Sequence, residues 1–167
     1  MTQPRPTHSI GDVATAGERA TLDAFLDDYR DTVVGKLAGA SEQDARRSLV
    51  PSATNLGGIV KHLRWVEYGW FHQLVGAQAG TNVRDHDRAT EFRLDENETV
   101  ASVIADYRAT CAASRTAVAE YALDDTVEHH EFGRVSIRWI YVHLIEETAR
   151  HAGQMDILRE QIDGSTG

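Results

Sequence analysis

The sequence predicts an all-α fold, a four-helix bundle with long connecting loops. Three observations carry this. Four long stretches repeat apolar side chains at steps of three and four, the period of a helix with one buried face. No stretch shows a convincing two-residue alternation of the strand type. The 167 residues, 41% of them apolar, suit a single domain with one core.

Met1–Ala16 is polar, holds two prolines and reads as a flexible N-terminal arm, with a short turn near Ile10–Val13 and a solvated His8. Residues 17–164 read as the bundle domain. Its first helix is Glu18–Ala38, with Leu22, Phe25, Leu26, Tyr29, Val33 and Leu37 on the inner face and Gly39 as a stop. Ser41 is a natural cap for a short helix over Ser41–Ser48, which Pro51 ends.

The second long helix spans Asn55–Val75, with Thr54 or Asn55 as its cap. Leu56, Ile59, Val60, Leu63, Val66 and Trp70 form its stripe, and His62 falls among them. Gly57 and Gly58 permit close backbone approach. Trp65, Trp70 and Phe71 add aromatic surface at the far end, and His72 falls on another, solvated face. Gly76–Asn97, containing RDHDRATEFRLDENE, reads as a long charged loop whose Phe92 and Leu94 dock its end on the core.

Thr99 caps a third helix to Ala122, with Val103, Ile104, Tyr107, Cys111, Ser114, Val118 and Tyr121 in register. Cys111, in register with this stripe, reads as a small core residue rather than a nucleophile. Leu123–Val135 is a polar connection in which His129 and His130 are solvated. Ser136 caps the fourth helix, Ile137–Ile162, and Gly164 closes it.

Composition narrows the function. A formal charge of −9 without a basic cluster argues against nucleic acid or an anionic membrane as partner. No apolar run approaches a membrane span, the N-terminus lacks the pattern of a signal peptide, and one cysteine excludes an intramolecular disulfide. A cytoplasmic protein is expected.

The chemistry-bearing pattern lies on the fourth helix. Ile140, Leu144, Met155 and Leu158 define its stripe, and Glu147 and His151 fall inside it. At ~100° per residue these two are ~40° apart, whereas Glu146 and His151 diverge by ~140°. Burying a carboxylate and an imidazole without partners is costly, and a metal ion is one remedy. With His62 from the second helix they make a candidate three-ligand site, leaving coordination positions open. His143, ~80° from His151 by the same arithmetic, is a fourth ligand, an outer donor or a pocket-lining base. Histidines and carboxylates at this spacing also occur on helices that hold no metal. Arg159, near the helix end, is a packing residue or a contact to a ligand acid or partner subunit.

These residues resemble the DinB-like superfamily of metal-binding four-helix proteins, in particular its branch of mini-circle-type proteins and mycothiol-dependent S-transferases. The resemblance rests on LGGIVKHLRWVEYGWF around His62 and RWIYVHLIEETARHAGQMDILRE around His151, with ETVASVIADYRATCAASR in support. It covers most of the chain beyond the arm. It implies a metal triad of His62, Glu147 and His151, although the fourth-helix pair is often His-x-x-x-His and Glu147 here replaces its first histidine. Zinc is the expected divalent metal, and nickel, manganese or iron also suit one carboxylate and two histidines. The implied activity is transfer of a low-molecular-weight thiol, mycothiol or bacillithiol, to an electrophilic small molecule, with His143 as a proton relay and a homodimer as the assembly. The rival expectations are a non-catalytic protein binding a metal or small ligand, linked to stress, and a bundle whose metal only fixes helix packing.

Overall fold

The computed structural model describes residues 10–76 and 88–166. His8 and the middle of the charged loop lie outside the described residues. A 3-10 turn at Ile10–Val13 buries Val13 and packs against helix α1, Glu18–Ala38. Ser41 caps α2, Glu42–Arg46, by accepting from the Asp44 amide at 3.1 Å. Helix α3 runs Leu56–Glu67, α4 is the single turn Arg88–Glu91, and α5 runs Val100–Val118. Strands β1, Thr126–His129, and β2, Gly133–Ser136, precede the longest element, α6, Ile137–Asp163. The described fold is therefore mostly helical, with one small sheet.

Most caps follow the sequence reading. Asn55 Oδ1 accepts from the Gly58 amide at 2.8 Å and starts α3. Thr99 and Ser102 form a reciprocal capping box on α5. Gly164, at φ 76°, ends α6 in the left-handed conformation that glycine tolerates best.

Four elements differ from expectation, the first being α4, which forms inside the stretch read as a charged loop. The second long helix is not α-helical throughout: from Tyr68 to Val75 it continues as a π-helix, closed by the Gly76 amide bonding the Phe71 carbonyl at 2.9 Å. The wider turn rotates every later side chain off the α-helical wheel. His72 is accordingly buried rather than solvated, its Nε2 lying 3.1 Å from both the Thr110 carbonyl and Ser114 Oγ. Helix α5 stops at Val118, four residues before Ala122. The polar connection expected over Leu123–Val135 holds an antiparallel hairpin, with Thr126 paired to Ser136 and His129 to Gly133.

Helix α1 packs mainly on α6, and α3 on α5. The core divides into two apolar clusters. One gathers Leu37, Leu56, Ile59, Leu63, Tyr107 and Met155. The other gathers Leu26, Phe71, Val118, Ile137, Ile140 and Leu144. Along the chain, Arg30 falls between Leu26 and Val33, and Glu67 between Leu63 and Phe71, so each stands between members of the two clusters. Arg30 Nε and Nη2 each donate to a Glu67 carboxylate oxygen at 2.7 Å, and Nη1 donates to Asp27 at 2.8 Å. Both members of this pair are buried. Burial alone would discharge the guanidinium, but the Glu67 carboxylate more than offsets it and raises the Arg30 pKa. Cys111 is buried in the first cluster, and burial pushes its thiol well above the usual range. It is a core residue, as its register predicts.

Candidate metal centre and its surroundings

His62 leaves α3 one turn after the Gly57–Gly58 pair, and those glycines determine what it meets. A Cβ on Gly57 would stand 2.6 Å from the Leu94 side chain, and one on Gly58 would overlap the Phe92 carbonyl. The absence of side chains there lets the segment after α4 lie directly on α3. Asn55 Nδ2 donates to that Phe92 carbonyl at 3.3 Å. Lys61 Nζ donates to the Arg93 carbonyl and Asp95 at 3.0 Å and to Glu98 at 2.8 Å. Arg46 holds the Leu94 and Asp95 carbonyls at 3.1 and 3.0 Å. Leu94 is buried in the core and Phe92 packs against it, which is the docking the sequence predicts.

The docked segment carries two side chains to His62. The Phe92 ring stacks on the imidazole, with centroids 4.4 Å apart and planes at 20°. Glu91 Oε2 lies 2.7 Å from His62 Nδ1. Glu91 is buried at the end of α4. It was invisible to helical periodicity because it sits in a stretch that reads as loop. The only sequence signal for it is proximity to Phe92 and Leu94.

The structure brings His62, Glu147 and His151 together. One ligand atom from each lies within 4.8 Å of the others. The two imidazole rings meet edge to face at 5.0 Å, and His151 Nε2 lies 3.5 Å from Glu147 Oε2. His151 Nδ1 donates to Gln154 Oε1 at 2.8 Å. A carboxylate and an amide oxygen can only accept, so each outer Nδ1 carries a hydrogen and each Nε2 keeps its lone pair in the neutral ring. Burial, reinforced by neighbouring His62, pushes the His151 pKa down and favours that neutral form. Burial would raise the Glu147 pKa, but hydrogen bonding and charge from Arg150 outweigh it, so the group is held below its ordinary value as a carboxylate. Arg150 also pairs with Glu146, which is exposed, as its angle on the helix predicts. Two imidazole lone pairs and one carboxylate oxygen converging on a buried point fit a divalent cation of the zinc class.

His143 stands one turn before Glu147, and these two with Glu146 form a second convergent group. Burial lowers its pKa, which keeps the imidazole neutral and able to accept a proton. It stacks on Trp139 at 5.1 Å and meets the Trp70 ring edge to face at 4.8 Å. His129, expected in solvent, is half-buried between Trp70 and Phe132, whereas His130 is exposed. Arg159 is occupied within the chain, donating to the Lys36 carbonyl and to Asp163, each at 2.6 Å.

No helix among the described residues is long and apolar enough to cross a membrane. No curated protein matches the chain. The sequence model described as Mycothiol-S-transferase matches residues 21–164, a span that includes all three convergent residues, His143 and Glu91. The chain belongs to the mycothiol S-transferase family, within the DinB-like proteins.

Proposed function

We propose that this protein is a divalent-metal-dependent S-transferase that joins mycothiol, or the related bacillithiol, to an electrophilic small molecule. The observation that carries the reading is the convergence of His62, Glu147 and His151 within 4.8 Å, with the outer nitrogen of each imidazole already engaged. In this reading His62 and His151 supply Nε2 and Glu147 a carboxylate oxygen to zinc, or to nickel, manganese or iron. The four long helices form the bundle that aligns these donors, and residues 17–164 are the folded unit.

A divalent cation bound there lowers the pKa of a thiol, so that the sulfur is available as thiolate at neutral pH. The chain's own residues do the rest. Arg150 keeps Glu147 ionised. Glu91 and Gln154 hold the two imidazoles in one tautomer and one orientation. His143 receives the thiol proton on a ring nitrogen. The sulfur's lone pair forms a bond to the electrophilic carbon, and either the leaving group departs with its own bonding pair or the π pair of a polarised double bond moves to that bond's far carbon. His143 then returns its proton to the departing group or the new carbanion. The fall of accessibility toward His151 limits competing water. The assembly is a homodimer acting in the cytoplasm.

The test is elemental analysis of purified protein alongside His62→Ala, with conjugation of mycothiol to an electrophilic dye followed in parallel. One equivalent of metal in the wild type, its loss in the variant and metal-dependent turnover are expected. Equal metal content in both proteins removes the ligand set. Metal-loaded wild type that turns over no thiol removes the transferase reading.

A further inference from the structure

Helix α6 carries a feature that the triad does not use. Trp139, His143, Glu147 and His151 follow one another at four-residue steps. Each step advances ~6 Å and turns ~40°, so Trp139 lies ~12 Å along the axis from Glu147. Exposure falls along the series: 39% for Trp139, then 24%, 17% and 8% for the side chains of His143, Glu147 and His151. The series is a stripe on α6 along which exposure falls from the surface toward the convergent donors, and it defines an approach to them.

The open end of this approach is aromatic and is built from three elements. The π-helical segment contributes Trp70, the hairpin His129 and Phe132, and α6 Trp139. His129 is stacked between Trp70 at 4.8 Å and Phe132 at 4.9 Å, with interplanar angles of 9° and 17°. Trp139 closes the cluster, 5.3 Å from Trp70 and 5.4 Å from Phe132. Mutual stacking fixes these rings, yet Phe132 remains 53% exposed. A pre-arranged aromatic shelf joined to a polar, buried terminus is the form of a small-ligand site.

We propose that this shelf seats the sugar and cyclitol rings of the thiol cosubstrate, an inference that rests on the transferase reading above. Mycothiol carries its cysteinyl sulfur at one end and, through an amide, an uncharged glucosamine–inositol pair at the other. Sulfur at the triad and rings two helical turns away match the two ends of the approach. The C–H faces of such rings stack on indole and phenyl surfaces. The electrophile must meet the sulfur, so its reacting carbon belongs at the buried end. Contacts to the remote rings hold the thiol in reacting position.

The test compares mycothiol with N-acetylcysteine, which has the sulfur but no rings, using metal-loaded wild type, Trp139→Ala, Phe132→Ala and the conservative Trp139→Phe. The preference for mycothiol, as the ratio of the two kcat/KM values, falls about tenfold in each alanine variant, the loss of one stacking contact of about 1.4 kcal/mol. Trp139→Phe restores most of it. Mycothiol also quenches tryptophan fluorescence of the wild type, and N-acetylcysteine does not. An equal loss with both thiols, a rise confined to the electrophile KM, or a change of oligomeric state in the alanine variants overturns the proposal. If the wild type turns over neither thiol, the transferase reading fails by itself. The shelf is then judged by quenching alone, and its absence sinks the shelf as well.

Discussion

Glu91 and His62 lie 29 residues apart in the chain and 2.7 Å apart in space. The contact makes the end of a charged loop part of the convergent site. It arises because two glycines on α3 leave a recess into which the backbone after α4 settles.

Replacing Glu91 should therefore weaken metal binding without removing a ligand. Loss of an outer partner of a metal-binding histidine costs about 10- to 100-fold in affinity. Glu91→Ala is expected in that range by competition with a chromophoric chelator. Glu91→Gln should recover part of the loss, since its amide oxygen still accepts from Nδ1–H. Identical behaviour of Ala and Gln would show that the hydrogen bond is not what matters.

Gly58→Ala should act on the same contact from a distance. The new methyl meets backbone, which cannot swing aside as a side chain can. Overpacking of this kind costs about 1–3 kcal/mol. A lower urea midpoint accompanied by weaker metal retention is the expected pair of results. A stability loss with unchanged metal affinity would separate the recess from the site.

Arg30 and Glu67 form a second buried polar feature, and it should matter for stability rather than chemistry. Removing one partner of a buried ion pair leaves a stranded charge and costs about 3–5 kcal/mol. Glu67→Ala should shift chemical denaturation by that order. Joint replacement, Arg30→Met with Glu67→Leu, should be markedly less harmful than the single change. A double variant as unstable as Glu67→Ala would contradict this account.

Metal removal offers a prediction on the whole protein. A ligand that binds only the native state at 1,000 times its Kd adds about 4.1 kcal/mol. Chelation should therefore lower the melting temperature of the wild type and leave that of His62→Ala unmoved. Equal shifts in the two proteins would place the stabilising ion elsewhere.

Helical periodicity alone located much of this architecture. The bounds of α1 and the caps at Ser41, Asn55, Thr99 and Ser136 follow from local chemistry, so they were legible. Glu147 was separable from Glu146 because the two point apart on a regular helix. Legibility ended where regularity did. A regular α-helical wheel places His72 toward solvent, but the hydrogen bonding of its segment widens and turns it inward. Glu91 is not legible because α4 is a single turn inside a charged stretch, too short for a period to show which way its side chains face. The hairpin leaves no alternating signal because its strands are four residues long and their burial is only partial.

The π-helical segment also constrains how this chain can vary in length. Its turns hold a surplus residue relative to an α-helix, and the excess sets the azimuth of everything from Trp70 to Val75. Deleting one residue there would let the helix relax to ordinary pitch and swing Trp70 off His129 and His72 off Ser114 together. A substitution in this stretch alters one contact, whereas a shortened count would dismantle the aromatic shelf and the buried histidine in a single step.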